Sequence, residues 1–235
     1  MNRVKRAIIM AAGNGSRLHP VTLTTPKPLI SVLGRRMIDT IIDALYANGI
    51  DEIHVVVGYL KEHFECLKDK YPNLDFIENP YYSTCNNISS LYMAREYLCD
   101  VMILDGDQLI NDVSALSPEF ERSGYNAVWT DGHTNEWLMT VNEEGVVTSC
   151  SRNGGEGGFA LYSVSRWSAE DGAKLRRYLE TEFIEKENTQ IYWDDVAMFC
   201  HSEDFELGIR EMKYGDVVEI DTYDELVELD ASYKK

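Results

Sequence analysis

The sequence predicts an α/β fold, a central sheet flanked by helices, and three observations predict it. Apolar runs of strand length at residues 7–10, 53–57 and 101–104 alternate with stretches of helical spacing. Strand, helix, strand in that order implies parallel strands joined by right-handed crossovers. The chain has 235 residues, 44% of them hydrophobic and 26% charged, enough for one large core with an ordinary globular surface.

The first run, Ala7-Ile8-Ile9-Met10, reads as a buried strand. It gives way to Ala11-Ala12-Gly13-Asn14-Gly15-Ser16-Arg17. Glycines let the backbone turn tightly and approach a ligand, and successive free N–H groups form an anion-binding concavity. Arg17 and Lys27, the latter inside Pro26-Lys27-Pro28, add fixed positive charge. That is equipment for a nucleoside triphosphate. Gly13 and Gly15 taken alone are equally compatible with an ordinary tight turn. Leu18 departs from the dinucleotide fingerprint, and no Gly-Lys-Ser/Thr follows, which excludes a Walker loop.

Residues 35–49 carry apolar side chains at helical spacing and end at Gly49. A strand follows at 53–57, a helix candidate at 61–71 and a short strand around Phe76-Ile77. In such a sheet, ligands bind beyond the carboxyl ends of the strands, where the glycine loop lies. Residues 81–94 are a polar turn leading into a helix. Asn86, Asn87 and their neighbours suit helix caps, and equally a loop that offers amides to a nucleobase. The strand at 101–104 ends in Asp105-Gly106-Asp107, two acids across a glycine. Hard cations such as magnesium take carboxylate oxygens, although a simple turn has the same composition.

The second half has more hairpin character. Strands are expected at 127–130, 138–141, 146–148 and 159–164, then an amphipathic helix at 168–183. Tyr192 and Trp193 run directly into Asp194 and Asp195. Acids at a helix start with aromatics in the core would give this pattern. So would a distant aspartate completing a metal site with Asp107, beside aromatic faces that hold a quaternary ammonium by cation–π attraction. Trp137 would supply another wall and Glu136 a countercharge. Strands at 207–212 and 217–220 precede a final acidic helix, capped by Asp221 or Thr222 with Glu225 in its first turn. No linker is visible, so 1–235 reads as one domain, with a nucleotide-binding half over about residues 1–110 and an acceptor-binding half over 111–235.

A net charge of −18 argues against nucleic acid as a partner, and no apolar run reaches membrane-spanning length. The basic start, Met1 to Arg6, is followed by an apolar stretch broken at Gly13 and Arg17, unlike a signal peptide. Five cysteines and five histidines show no metal-ligand spacing. Reduced thiols fit a cytoplasmic protein.

The string Ala-Ala-Gly-x-Gly-x-Arg-Leu followed by Thr25-Pro26-Lys27-Pro28-Leu29 resembles the signature of nucleotidyltransferases that make NDP-sugars and related activated alcohols. Val57 to Glu62, Asn86-Asn87 with Ser90-Leu91-Tyr92, Asp105 to Asp107, Thr134 to Trp137 and Tyr192-Trp193-Asp194 extend the likeness over most of the chain to the bacterial CTP:phosphocholine cytidylyltransferases. The resemblance implies a Rossmann-like (GT-A-like) nucleotidyltransferase fold with a mixed, mainly parallel central sheet. It implies magnesium as cofactor and CTP and phosphocholine as substrates, without membrane insertion. It assigns Lys27, Arg17, Asp107 and Asp194 to catalysis, and Asp107 and Asp194 to the metal. Ala11, Ala12, Gly13, Asn14, Gly15, Ser16, Arg17, Lys27, Asn87, Ser90 and Asp105 would bind nucleotide. Glu136, Trp137, Tyr192 and Trp193 would bind the acceptor. Other acceptors, namely a sugar 1-phosphate, phosphoethanolamine or an aminophosphonate, and a non-catalytic nucleotide-binding regulator are the alternatives. Oligomeric state is not readable.

Overall fold

The computed structural model describes residues 1–234. Its first half is four parallel strands: β1 (Arg6–Ala11), β2 (Glu52–Val57), β3 (Asp75–Glu78) and β4 (Val101–Asp105), lying in the order β4-β1-β2-β3. Helix α1 (Met37–Ala47) crosses over between β1 and β2, and α2 (Ile88–Met93) precedes β4. Strand alternation explains the layers. Ala7, Ile9 and Ala11 join the cluster built on α1, whereas Ile8 and Met10 join the cluster on the opposite face. Burial on both faces is why these strands are continuously apolar in sequence.

After β4 come β5 (Gln108–Ile110), β6 (Gly124–Thr130), β7 (Leu138–Val141), β8 (Val147–Ser151) and the long β9 (Gly158–Trp167). The carboxyl end of β9 pairs antiparallel with β4. Its other edge pairs with β6, and its start pairs with β7, which carries β8 as a hairpin. The nine-stranded sheet therefore runs from the parallel half into the antiparallel half, with β10 (Gly208–Glu211) parallel to β6. Helix α3 (Ala169–Glu180) starts at Ser168, whose hydroxyl accepts from the Asp171 N–H. The strand β11 (Val217–Glu219) pairs with β5 and leads into α4 (Tyr223–Leu229).

Two sequence expectations change in detail. The segment 61–71 is no α-helix but a 3₁₀ stretch, Lys61–Leu67. It follows Leu60 in a left-handed conformation (φ +49°), and its buried residues, Phe64 and Leu67, are three apart, the repeat of a 3₁₀ turn. The helix at 168–183 ends its α-geometry at Glu180 and continues as a π-turn, Thr181–Glu185. No helix among the described residues is long and apolar enough to cross a membrane.

Candidate active site

Beyond the carboxyl ends of β1 and β4 the chain packs closely on itself. Gly15 sits at φ +61°, and a Cβ there would lie 3.0 Å from Thr22 Cγ2 and 3.1 Å from Lys27 Cβ. The Thr22 hydroxyl donates to Gly15 O (2.8 Å), and Asn14 Oδ1 accepts from the Ser16 N–H (3.1 Å). The loop is thus folded on its own polar groups, with Arg17 on the short turn that follows. Gly106 N–H donates to Met10 O (2.9 Å), and a Cβ on Gly106 would meet Pro28 Cγ at 3.0 Å. The Asp-Gly-Asp turn therefore lies directly against Pro26-Lys27-Pro28.

That packing buries Lys27. Its ammonium reaches Asp107 Oδ2 at 2.5 Å and Asp221 Oδ1 at 3.0 Å. Arg17 also donates to Asp221 Oδ1, at 2.8 Å. Burial works against the Lys27 charge, but the two carboxylates outweigh it and hold its pKa above the ordinary value. Asp221 is free to do this because α4 is capped by its neighbour: the Thr222 hydroxyl and the Glu225 carboxylate form a capping box. Sequence offered either residue as the cap, and so concealed a site residue.

A cavity of about 550 Å³ opens in front of this cluster. Arg17, Asp105, Asp107, Asp194, Glu136, Trp137, Tyr192 and Asn87 line it, together with Asn135, Arg152, Ser163, Glu219 and Asp221, which the sequence did not single out. A smaller cavity of about 160 Å³ adjoins it, lined by Ala11, Ala12, Gly13, Lys27, Asn87, Ser90, Asp105 and Asp107. Asn87 faces both, and its side-chain oxygen accepts the Trp193 N–H (2.9 Å), tying the start of α2 to the segment carrying Asp194. Asn14, Gly15 and Ser16 shape the loop and line neither cavity.

Trp193 requires a correction. Expected as an acceptor wall, it is 2% exposed and lies in the core, 6.0 Å from the rings of both Tyr125 and Trp167. It supports the floor, as the aromatics-in-core reading has it. Tyr192 is the exposed member of the pair, perpendicular to Trp137 at 5.8 Å. A third ring, Phe199, stands 5.5 Å from Trp137, but the Arg152 guanidinium covers its face at 3.7 Å. Arg152 is fixed there by Asp195 Oδ1 (2.5 Å to Nη2, 2.8 Å to Nε).

The acids are crowded. Burial pushes the Asp105 carboxyl well above its usual range, and the charges of Asp107, Asp194 and Glu219 add to this. Burial likewise raises Asp194 to about 7 and Glu219 to about 7. Asp194 Oδ1 and the Tyr125 hydroxyl beside it are both buried without a hydrogen-bond partner of normal geometry. An all-oxygen donor set with an orphaned carboxylate oxygen fits a hard divalent cation. Asp107 and Asp194 both line the larger cavity. The carboxylate that shares a cation with Asp107, however, is Asp221, through Lys27. No cluster of three metal-binding side chains exists among the described residues.

The Nucleotidyl transferase family model matches residues 6–125. The chain is 39% identical over 229 residues to the 2-aminoethylphosphonate cytidylyltransferase of Lancefieldella rimae, covering 97% of this chain and 92% of that one. It is 31% identical over 97% of its length to the choline-phosphate cytidylyltransferase of Streptococcus pneumoniae, of which it covers 98%. Among solved structures, the CTP:phosphocholine cytidylyltransferase from Streptococcus pneumoniae superposes with a TM-score of 0.90 at 31% identity, with 99% of this chain and 100% of that one covered. The inositol-1-phosphate CTP transferase from T. maritima shares the fold, with a TM-score of 0.75 at 19% identity, covering 100% and 98% of the respective chains.

Proposed function

The chain belongs to the nucleotidyl transferase family, and from that premise we propose that it transfers CMP from CTP to a small phosphonate or phosphate that carries an amine, releasing pyrophosphate. The observation that carries this reading is a pair of adjoining cavities, sharing Asp107, that join the Lys27–Asp107–Asp221 cluster to Glu136, Trp137 and Tyr192. The smaller cavity, between residues 11–13 and Asn87 and Ser90, takes the cytidine.

An acceptor oxygen attacks the α-phosphorus, the new P–O bond forms, and the bond to the β-phosphate breaks with its electron pair on pyrophosphate. That oxygen is already anionic near neutral pH, so no general base is needed. The protein's task is positioning and charge stabilisation. Lys27 and Arg17, held in reserve on Asp107 and Asp221, exchange those carboxylates for phosphate oxygens. Magnesium, held by Asp107 with Asp221 or Asp194, would offset the negative charge that accumulates on the phosphates. Loop amides at residues 11–13, together with Arg17, hold the triphosphate tail.

The preferred acceptor is one with a primary ammonium, 2-aminoethylphosphonate. Trp193 is internal and the Phe199 face is taken by Arg152, so only Trp137 and Tyr192 are left to wrap methyl groups. Carboxylates of Glu136, Asp194 and Glu219 line the same space and accept the hydrogen bonds that a primary ammonium donates. The relative at 39% identity supports the same acceptor. Phosphocholine is the second reading, favoured by the perpendicular Trp137–Tyr192 pair.

Pyrophosphate release decides. CTP with 2-aminoethylphosphonate should give the highest kcat/KM, above phosphocholine and phosphoethanolamine. Release no faster with any acceptor than with CTP alone would leave only a nucleotide-binding regulator.

A further inference from the structure

At the start of β6 and β10 lies another cavity, of about 390 Å³. Its charges are unusual for so acidic a chain. Among the described residues, nine of the twelve arginines are ion-paired with a carboxylate. Of the three that are not, Arg177 is on the surface against the Tyr178 hydroxyl. The other two, Arg166 and Arg210, open onto this one cavity.

Arg166 is 2% exposed. Its Nε donates to Ser117 O (2.8 Å), Nη1 to Asn126 Oδ1 (2.6 Å) and Nη2 to Ala115 O (2.7 Å). All three acceptors are neutral, and two of the five guanidinium N–H groups are left over. Arg210 donates to the Glu119 backbone carbonyl. Burial and, to a smaller extent, the like charge of Arg210 lower the Arg166 pKa to about 9. A buried cation with a like-charged neighbour and no counterion is costly. The acids at the cavity offset it only in part: Glu119 pairs with Arg3 while its charge also acts on Arg210, and Glu121 and Glu144 are exposed at the rim. Gly124 and Gly208, packed backbone to backbone, form part of the wall.

We propose that this cavity binds a small phosphate-type oxyanion, gripped by the guanidinium groups of Arg166 and Arg210. Planar guanidinium forks match tetrahedral oxyanions. The volume accommodates inorganic phosphate or pyrophosphate, and the acidic rim disfavours longer polyanions. The site stands apart from the nucleotide phosphates, because none of its lining residues belongs to the cavities at Lys27.

Calorimetric titration with inorganic phosphate and with pyrophosphate, at constant ionic strength against chloride, tests this on the full chain. Lys27→Met removes the competing anion site. Phosphate or pyrophosphate binding should persist in Lys27→Met and weaken about tenfold or more when Arg210→Met is added, with Arg210→Lys intermediate because it keeps charge but loses the fork. Thermal unfolding of each variant checks that it is folded, and Arg210→Lys carries the comparison if Arg210→Met is not. Binding that vanishes in Lys27→Met, binding indifferent to both Arg210 variants, or no binding at about 10 mM anion, far weaker than a paired-guanidinium site gives, overturns the proposal.

Discussion

Lys27 and Asp107, eighty residues apart, meet through a 2.5 Å ion pair at the end of the parallel sheet. Asp221 completes the contact from the other end of the chain. In this arrangement the lysine ammonium holds together two carboxylates that would otherwise repel. In the proposed reaction substrate phosphates would draw the ammonium away, leaving Asp107 and Asp221 to hold a divalent cation that would offset phosphate charge.

Asp107→Asn and Asp221→Asn should each lower turnover by about 100- to 1000-fold, the range for removal of one preorganised electrostatic group. Both should raise the magnesium concentration needed for half-maximal rate. Asp194→Asn should move that concentration less. Pyrophosphate release against magnesium concentration checks this; a larger magnesium shift for Asp194→Asn than for Asp221→Asn would assign Asp194 as the metal partner of Asp107.

Arg152 should set amine selectivity. It lines the acceptor cavity with its guanidinium on the Phe199 face and over the Trp137 ring, where its charge opposes a trimethylammonium. Arg152→Met keeps the aliphatic stem and removes the charge. The kcat/KM ratio of phosphocholine to 2-aminoethylphosphonate should rise about tenfold, consistent with one cation–π contact of 1–2 kcal/mol. Asp195→Asn, which releases Arg152 without deleting it, should move the ratio less. Equal losses for both acceptors would reduce Arg152 to a structural latch.

Tyr192 and Trp193 should separate cleanly. Tyr192→Ala should raise the acceptor KM with little change in melting temperature. Trp193→Ala should destabilise the protein by about 3–5 kcal/mol, the usual cost of emptying a buried aromatic site. Denaturant unfolding and acceptor titration measure the two effects. An unchanged stability in Trp193→Ala would contradict its burial between Tyr125 and Trp167.

Protein without divalent cation should be more stable at mildly acidic than at neutral pH. Asp194 and Glu219 have folded-state values raised to about 7, against ordinary values near 4 in the unfolded chain. Between those limits the folded state binds more protons, so the stability they contribute is lost as pH rises through about 7. The melting temperature should therefore fall from pH 5.5 to 7.5. Glu219→Gln should flatten that fall, and magnesium should reverse part of it. A melting temperature that rises over this interval would contradict the raised values.

The strands were legible because burial on both faces leaves continuous apolar runs, and α1 because its buried positions repeat at helical spacing. The segment 61–71 was less so, since apolar residues three apart serve a 3₁₀ turn as well as an α-helix. By itself the sequence determined the parallel half of the sheet, the glycine loop after β1 and the acids after β4, because these depend on neighbours along the chain. Only the tertiary structure decided the rest of the site. It separated Tyr192 from Trp193, since adjacent residues point to different environments. It chose Thr222 as the helix cap and so freed Asp221 for Lys27. It brought Arg152 onto Phe199 and Glu219 beside Asp105. Which charges share one desolvated space is set by how distant segments pack, and linear spacing carries no record of that.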